Sequence, residues 1–473
     1  MDESIGIVWF RRDLRLRDNP ALQAASEHCR YILPIYLHDP SSEGNWTAGA
    51  ASKSWLHYSL QALQQTLRSQ GCPLLIRAGH SREILSDLIN ETGATHLFWN
   101  RCYEPSAMAR DACIRQKFKP QGIHSQSFNA SLLAEPWEIA NQQGKPFQVF
   151  TPFWKHHRQH IADSKPLPTP DLNGRALRSI PTGIPLEELQ LLPHPRWDRG
   201  FWQRFTPGEQ GAQEALDSFV HEETILRYST DRNRPDLKQT SLLSPHLHFG
   251  EISVRQVAHR VSQLGHGTHE SIHTFLSEIG WREFAYHLLY HFPHTTQHPL
   301  KDKFTDFPWR EAPEQLDAWR RGQTGIPIVD AGMRELWQTG WMHNRVRMIT
   351  GSYLVKNLLI PWQSGASWFW DTLVDADLAS NTLGWQWVAG CGADAAPYFR
   401  IFNPVLQSER FDPKGIYLRK WIPELASASE RLIHTPWRDP NLLRKSGYPE
   451  KQISLIESRN RALAAYETMQ QSH

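Results

Sequence analysis

Amides, carboxylates, arginines and tryptophans are concentrated in one apolar segment of the sequence, residues 339–387. Buried charges and amides are costly unless they are paired or hold a polar partner. So many indoles beside them favour an aromatic, partly polar ligand, or electron transfer through rings. A Trp-rich helical core with structural ion pairs is the alternative interpretation, because such networks also perturb charged groups.

Two polar groups of this segment are spaced for chemistry. Asn344 and Arg347 share a face of a predicted helix, because residues three apart are neighbours on a helix surface. Asp375, Asp377 and Asn381 are predicted to stand in a turn that leads into the helix of Trp385 and Trp387. Asp375 could neutralise Arg347, while Asp377 and the backbone meet the polar edge of a ring.

A third cluster lies in the sequence FLSEIGWREFAYHLL, which is predicted to be helical. Glu278, Trp281 and Arg282 fall at positions i, i+3 and i+4, on one face of that helix. In one interpretation, Glu278 and Arg282 form an ion pair beside a core indole. In the other, the Glu278 carboxylate and the Trp281 indole together face a flat, hydrogen-bonding ligand such as a base.

A fourth cluster combines hydroxyl groups with the start of a helix. Tyr228 is followed, just before a predicted helix, by the run Thr240, Ser241, Leu242, Leu243 and Ser244. Hydroxyls and free backbone amides at a helix start suit a phosphate, although an ordinary Ser/Thr cap has the same residues.

Composition excludes several classes of protein. The net charge is +2 over 473 residues, so any nucleic-acid contact must come from a local basic patch. The five cysteines form no C-x-x-C pair, which is typical of reduced thiols rather than of a disulfide framework or a zinc site. The 24 histidines include His246 and His248, which lie only two residues apart, and we expect no metal.

The sequence also bears on localisation and partners. No run approaches the roughly 20 apolar residues of a membrane span, and the start of the chain resembles neither a signal nor a transit peptide. We therefore expect a cytoplasmic, monomeric protein that does not bind membranes. Residues 396–421 hold five basic residues against two acidic ones, which fits either a phosphate-binding rim or a solvated loop.

Short apolar runs alternate with helix-like stretches in the first part of the chain. Strands are predicted at 5–10, 31–37, 73–79, 95–100 and 123–128, and helices at 52–70, 81–91 and 105–118. This alternation predicts a doubly wound parallel sheet. Arg11, Arg12 and Asp13 stand where a dinucleotide-binding sheet would have its glycines, so we expect no such site, but a small molecule could bind at the carboxyl ends of the strands.

The rest of the chain divides into a connector and a helical part. Residues 163–200 carry seven prolines and no clear period, as in an extended connector. Helices are predicted at 251–264, 271–292, 326–338, 341–359 and 366–374. We place the α/β domain at 1–132, the linker at 133–203 and the helical domain at 204–473.

Six stretches of this sequence together resemble one family. They are WFRRDLRLRDNPAL (9–22), TSLLSPHLHFGEIS (240–253), EIGWREF (278–284), TGIPIVDAGMRELWQTGWMHNR (324–345), DADLASNTLGWQW (375–387) and GADAAPYFRIFNPVLQSERFDPKG (392–415). The family is that of the photolyases and cryptochromes, and the similarity is greatest to the class I cyclobutane pyrimidine dimer photolyases of bacteria. The resemblance runs in order from about residue 5 to about residue 470.

The resemblance implies an α/β antenna domain followed by a helical domain that binds FAD and damaged DNA. It implies a lyase that uses blue light to split pyrimidine dimers, with the electron chemistry supplied by the flavin. The implied FAD-binding residues are Tyr228, Thr240, Ser241, Leu242, Leu243, Ser244, Asp375, Ala376, Asp377 and Asn381. The implied catalytic residues are Trp385, Trp362 and Trp309, as an electron chain, with Glu278 and Asn344 at the dimer.

The implied DNA-binding residues are Arg232, Glu278, Trp281, Arg282, Asn344, Arg345, Met348, Trp387 and Gln407. (6-4) photolyases usually carry a His-His pair where this chain has Met342, His343 and Asn344, so that substrate is disfavoured. A cryptochrome-type photoreceptor without repair activity is the alternative.

The resemblance also bears on a second, antenna chromophore. Folate-binding relatives have an Asn-Glu pair after the Tyr-Glu of this region, whereas here Pro105 and Ser106 follow Tyr103 and Glu104. A deazaflavin or FMN is therefore favoured over folate, with no antenna as the other alternative.

Overall fold

The computed structural model describes residues 4–162, 164–265, 269–398 and 400–471. Its first part is a parallel sheet with the strand order β3-β2-β1-β4-β5. The strands are β1 (Ile5–Phe10), β2 (Tyr31–His38), β3 (Leu75–Ala78), β4 (His96–Asn100) and β5 (His124–Phe128). The predicted parallel sheet is confirmed.

Helices cover both faces of this sheet, which is why β1 and β4 are apolar along almost their whole length. These helices are α1 (Pro20–His28), α2 (Ala50–Ser69), α3 (Ser81–Thr92) and α4 (Pro105–Phe118). The chain order reverses between β1 and β4, and this is the position at which ligands usually bind in such sheets.

The remaining described residues are mostly helical, as predicted. The helices are α5 (Phe150–His157), α6 (Glu209–Val220), α7 (Glu222–Ile225), α8 (Tyr228–Asp231), α9 (Ser244–His248), α10 (Val254–Ser262), α11 (Glu270–His291), α12 (Pro313–Arg321), α13 (Pro327–Thr339), α14 (Asn344–Ser352), α15 (Trp362–Thr372), α16 (Leu378–Ala389), α17 (Pro404–Phe411), α18 (Ile416–Trp421), α19 (Pro440–Ser446) and α20 (Leu455–Gln471). A π-helical turn, Tyr353–Asn357, follows α14. No described helix is both long and apolar enough to cross a bilayer.

Three predicted helix starts are wrong by three or four residues, and the helix predicted at 251–264 begins only at Val254, after the capping residue Ser253. The helix predicted at 341–359 begins only at Asn344, because the His343 side chain accepts from the Arg345 amide and caps the helix there. The helix predicted at 366–374 begins earlier, at Trp362, directly after Pro361. The second and third of these helices bring a residue of interest to their first position.

The two parts of the molecule are hydrogen-bonded to one another. The Trp370 indole donates to the Thr47 carbonyl at 2.8 Å, and the Trp55 indole donates to Glu251 at 3.0 Å. Gly250 has a φ of +64°, and a Cβ there would overlap the backbone of Arg12. A glycine is therefore required where α9 ends against the loop that follows β1.

Candidate active site

The Asp375 carboxylate joins three helices at the turn between α15 and α16. The Ser244 hydroxyl at the start of α9 donates to Asp375 Oδ2 at 2.6 Å, and the Arg347 guanidinium of α14 donates to the same oxygen at 2.8 Å. The predicted pairing of Asp375 with Arg347 is confirmed. The second oxygen, Oδ1, is buried and accepts no hydrogen bond from the described residues, so it fits a ring N–H of a bound ligand.

Asp377 is the amino-terminal cap of α16 and a buried anion. Its Oδ1 accepts from the Ser380 amide at 2.8 Å, and its Oδ2 accepts from the Tyr286 hydroxyl. Burial alone would raise the pKa of the Asp377 carboxyl, but neighbouring His248, Arg282 and Tyr286 hold it well below its ordinary value. Burial and the Asp377 charge raise the pKa of Tyr286, so the phenol stays protonated and donates.

Asn381 lies one turn into α16 and is half-buried. Its side-chain amide donates to the Ala366 carbonyl of α15 at 3.1 Å, and its backbone amide donates to the Asp377 carbonyl at 2.8 Å. The side chain is thus fixed between α15 and α16, on the same short stretch as the two aspartates.

The segment expected to hold phosphates precedes α9. Leu242 has a φ of +54°, a backbone conformation that a branched side chain rarely adopts and that is concentrated at functional sites. Thr240 and Ser241 are half-buried, whereas Leu243 is buried. Tyr228 packs edge-on against Phe275 at 5.4 Å between ring centroids, which fixes it in the wall beside this segment.

The three tryptophans of the expected electron chain lie on neighbouring segments. Trp385 and Trp362 are buried and Trp309 is half-buried. The Trp385 indole lies against Gly365, one turn after Trp362 in α15, where a Cβ would overlap the ring. The Arg310 amide donates to the Leu359 carbonyl at 2.8 Å, and this bond places Trp309 beside the segment that enters α15.

Sequence reasoning missed two aromatic neighbours of Trp385. The Phe369 ring lies 5.0 Å from it between centroids, and the Trp319 ring lies 6.3 Å from it. Nothing in the spacing of the tryptophans distinguishes these contacts, because they join three different helices.

Glu278, Arg232 and Arg345 form a charged group that we call the Glu278 cluster. The Arg232 guanidinium donates to Glu278 Oε1 at 2.5 Å, and both side chains are partly exposed. The Arg345 guanidinium donates to Asn233 Oδ1 at 2.7 Å. Burial and the charges of Arg232 and Arg410 lower the pKa of Arg345, which shows that positive charge is concentrated here.

The other expected DNA-contacting residues lie in different surroundings. Asn344 is exposed at the first position of α14, and Met348, Trp387 and Gln407 are half-buried. Arg282 is directed away from Glu278, since its guanidinium donates to the Ser131 carbonyl at 2.7 Å and lies over the Tyr286 ring. The i, i+4 ion pair that the sequence allowed between Glu278 and Arg282 therefore does not form.

Trp281 of α11 is half-buried and stacks on a ring that the sequence did not indicate. The Phe150 ring of α5 lies parallel to the indole, with 3.8 Å between centroids and 9° between planes. No motif contains Phe150, and no signal in the sequence pointed to it.

A cavity of about 280 Å³ lies at the carboxyl ends of β1 and β2, where a small-molecule site was expected. Trp9, Arg12 and Tyr36 line it from the sheet side, and Trp370 and Ala376 line it from the helical side. Ala376 stands between the two site aspartates, so the cavity reaches the candidate active site.

No group of three or more His, Cys, Asp or Glu side chains is arranged to hold a metal ion in the part of the chain that the structure describes. His246 is hydrogen-bonded to the buried Glu251 carboxylate instead.

The two-domain fold, with a buried carboxylate oxygen left without a partner among the described residues, is that of a class of proteins with a cofactor-binding helical domain. A family model described as the FAD binding domain of DNA photolyase matches residues 275–468, and one described as DNA photolyase matches residues 6–171. The chain belongs to the photolyase/cryptochrome family. The buried, unpartnered Asp375 Oδ1 and the fixed Asn381 amide fit the flavin that the family model implies.

Relatives from both branches of the family are similar along nearly the whole chain. The deoxyribodipyrimidine photo-lyase of Agrobacterium fabrum is 46% identical over 469 residues, which are 97% of each protein. Cryptochrome-1 of Arabidopsis thaliana is 38% identical over 98% of this chain and 70% of its own length. The crystal structure of a class III photolyase from Agrobacterium tumefaciens has a TM-score of 0.94 at 44% identity and covers 100% of this chain and 98% of the other.

Proposed function

We propose that the protein is a deoxyribodipyrimidine photo-lyase, a carbon–carbon lyase that splits cyclobutane pyrimidine dimers in DNA under blue light. The observation that carries the proposal is the Glu278 cluster together with Trp281 on the same helix as Glu278. A carboxylate, two arginines and an indole supply an acceptor for base N–H groups, positive charge for phosphates and an aromatic wall. The sequence resembles class I photolyases, whereas one solved relative, at 44% identity, is a class III photolyase. The proposed substrate is the same dimer in either class.

A dimer inside a duplex must leave the base stack before these groups can reach it. Glycosylases, methyltransferases and photolyases share this step, which costs about a few kcal/mol and least for damaged bases. We propose that Glu278 and Asn344 accept and donate hydrogen bonds at the base edges while Trp281 covers one face of the dimer. Arg232 orients the Glu278 carboxylate through their 2.5 Å hydrogen bond.

When bound, FAD supplies the light-excited electron donor for the cleavage. The residues of this chain hold and tune it. Asp375 neutralises Arg347 and offers its free oxygen to a ring N–H, and Asn381 presents an uncharged amide on the same stretch. Asp377 remains ionised because Tyr286 and the Ser380 amide donate to it. Trp385 and Trp362 would relay an electron towards the bound flavin from the half-buried Trp309, and an external reductant would return an electron to Trp309.

The direct test is repair of a thymine-dimer oligonucleotide by the reduced protein under blue light, followed by chromatography of the restored thymines. We expect repair with the wild type and a marked loss of repair with Glu278→Ala. Glu270→Ala is the matched control, because Glu270 is an exposed carboxylate in the first turn of the same helix. An absence of restored thymine with the wild type would refute the repair function, and unchanged repair with Glu278→Ala would refute the role of Glu278.

A photoreceptor without repair activity is the second candidate. It is favoured by the 38% identity to Arabidopsis thaliana cryptochrome-1 over 98% of this chain. Both candidates predict a yellow, FAD-containing protein, and only the lyase predicts restored thymine, so the same assay separates them.

We also propose that the cavity at the carboxyl ends of β1 and β2 holds a second chromophore. Its indole, phenol and guanidinium lining suits a flat ring system with an anionic tail. A deazaflavin or FMN agrees with Pro105 and Ser106 at the position where folate-binding relatives carry an Asn-Glu pair. Mass spectrometry of the chromophores released from purified protein identifies the occupant, and FAD alone would count against this proposal.

A further inference from the structure

The indole of Trp281 is held on one face by the linker helix rather than by the helical domain itself. Its ring plane is parallel to that of Phe150, with 3.8 Å between the centroids, and its only other ring neighbour among the described residues is Phe284, edge-on at 5.9 Å. Phe150 is buried, whereas Trp281 is half-buried. Because Trp281 is only half-buried, part of its ring surface remains available to a ligand.

Helix α5 packs against α11 through several side chains, so the stacking of Phe150 on Trp281 is one of several contacts between the two helices. The Trp154 indole occupies the space that a side chain at Gly280 would fill. Phe153 lies 5.1 Å from Phe284 between ring centroids. The absence of a side chain at Gly280, directly before Trp281, allows α5 to approach α11 closely.

The backbone on either side of Phe150 is also tied to the helical domain. The Phe147 amide donates to His287 Nε2 at 3.0 Å. The Asp394 amide donates to the Gln148 carbonyl at 3.1 Å, and the Phe150 amide donates to Asp394 Oδ2 at 3.4 Å. These bonds set the position of the Phe150 ring from both α11 and the loop after α16.

We infer that Phe150 is a positioning residue for the lesion pocket: it fixes the plane of Trp281 so that the free face of the indole is ready for a flipped pyrimidine dimer. The inference rests on the proposed repair function and deepens it. The linker that carries α5 is, in this view, one wall of the lesion pocket and not only a connection between domains.

The physical basis is preorganisation. A tryptophan that must be ordered when the ligand arrives loses side-chain freedom at that moment, and this loss weakens binding. A ring that is already stacked has lost that freedom during folding. The stacking contribution of an aromatic pair beyond its buried area corresponds to roughly a two- to tenfold change in an equilibrium constant.

The test compares the binding of full-length, FAD-loaded variants in the dark, using an oligonucleotide with one thymine dimer and the same oligonucleotide without damage. For Phe150→Leu we expect the preference for damaged DNA to fall roughly two- to tenfold, with unchanged affinity for undamaged DNA and an unchanged flavin spectrum. Phe150→Tyr retains the ring and should retain the wild-type preference. Phe150→Met, which fills the space without a ring, replaces Phe150→Leu if that variant does not fold.

Phe153→Leu is the matched control. Phe153 is buried in the same helix and contacts Phe284 and His287, but its ring is not among the neighbours of Trp281. We expect this variant to melt at a lower temperature and to keep the preference for damaged DNA. Unchanged preference in Phe150→Leu, or an equal loss in Phe153→Leu, would overturn the positioning role. A wild type without any preference for the dimer would instead refute the proposed function on which the inference rests.

Discussion

Replacing Asp375 by asparagine tests whether its charge, and not its shape, holds the candidate active site together. In the wild type, Asp375 Oδ2 accepts one hydrogen bond from Ser244 and one from Arg347. The Asp375 side chain is 2% exposed and that of Arg347 is 24% exposed, so the pair is screened less than a surface ion pair. Asparagine has almost the same volume and can still accept both hydrogen bonds, but it cannot neutralise the guanidinium.

The expected magnitude follows from the two hydrogen bonds. Hydrogen bonds to a charged group contribute about 1.5–3 kcal/mol each, and neutral ones about 0.5–1.5 kcal/mol. Losing the charge while keeping both bonds should therefore lower the free energy of unfolding by about 1–3 kcal/mol. Asp375→Ala should cost about 3 kcal/mol or more, because it leaves a poorly solvated guanidinium without an anion.

Urea unfolding followed by tryptophan fluorescence, with flavin release recorded in parallel, measures the effect. Asp371→Asn is the control, since Asp371 is exposed on the neighbouring helix and accepts from the Ala50 amide at 2.9 Å. We expect Asp375→Asn to unfold and to release flavin at lower urea than both the wild type and the control. Identical transitions in all three proteins would refute the assignment of Asp375 as the anion that organises α9, α14 and α16.

Two further predictions concern the protonation of His343 and the path of electrons through Trp362. Burial, with Arg204, Arg345, Arg347 and Arg232 nearby, lowers the pKa of His343 to about 3, while the Glu335 carboxylate accepts from the His343 backbone amide. Because the folded protein then binds fewer protons than the unfolded chain below about pH 6.5, this residue should reduce stability by about 1.4 kcal/mol per pH unit as the pH falls from 6.5 towards 3. His343→Asn keeps a side-chain acceptor that can cap the helix but cannot bind a proton in this pH range. Its urea midpoint should therefore fall less than that of the wild type between pH 7 and pH 5. An equal fall of the two midpoints would contradict this explanation. Separately, Trp362→Phe should largely abolish the blue-light reduction of oxidised flavin by an external reductant. Trp202→Phe is the control, because Trp202 lies beside Tyr58 in the other part of the molecule, and it should leave that reduction unchanged. Equal reduction rates in the two variants would exclude Trp362 from the electron path.

Much of the fold could be predicted because its signals are local. β1 and β4 are short continuous apolar runs, and such runs between helical stretches indicate a parallel sheet covered on both faces. The helical second half follows from apolar spacing in the same way. Helix starts were less accurate: the sequence does not show that the His343 side chain will turn back to cap α14.

The candidate site was predictable only where its partners are near in sequence or are fixed by the family resemblance. For Glu278, the sequence offered Arg282 four residues later, whereas the structure pairs it with Arg232 at a separation of 46 residues. Arg232 and Arg282 could each pair with the Glu278 carboxylate, so spacing along the sequence could not decide between them. The decision depends on the end of the α/β domain, because the Ser131 carbonyl accepts a hydrogen bond from the Arg282 guanidinium.

The sequence by itself determined the sheet, the helical half, the family and the identity of the polar residues, because these depend on local periodicity and on long motifs. Only the tertiary structure decided which of those residues meet. Ser244 reaches Asp375 across 131 residues of chain, and the Phe150 ring reaches Trp281 from a different part of the molecule. The segment 339–387, which composition alone left open between a structural core and a ligand site, carries a buried carboxylate oxygen with no partner among the described residues. Burial and hydrogen-bond satisfaction are properties of the packed chain, and for that reason they could not be read from residue types and spacing.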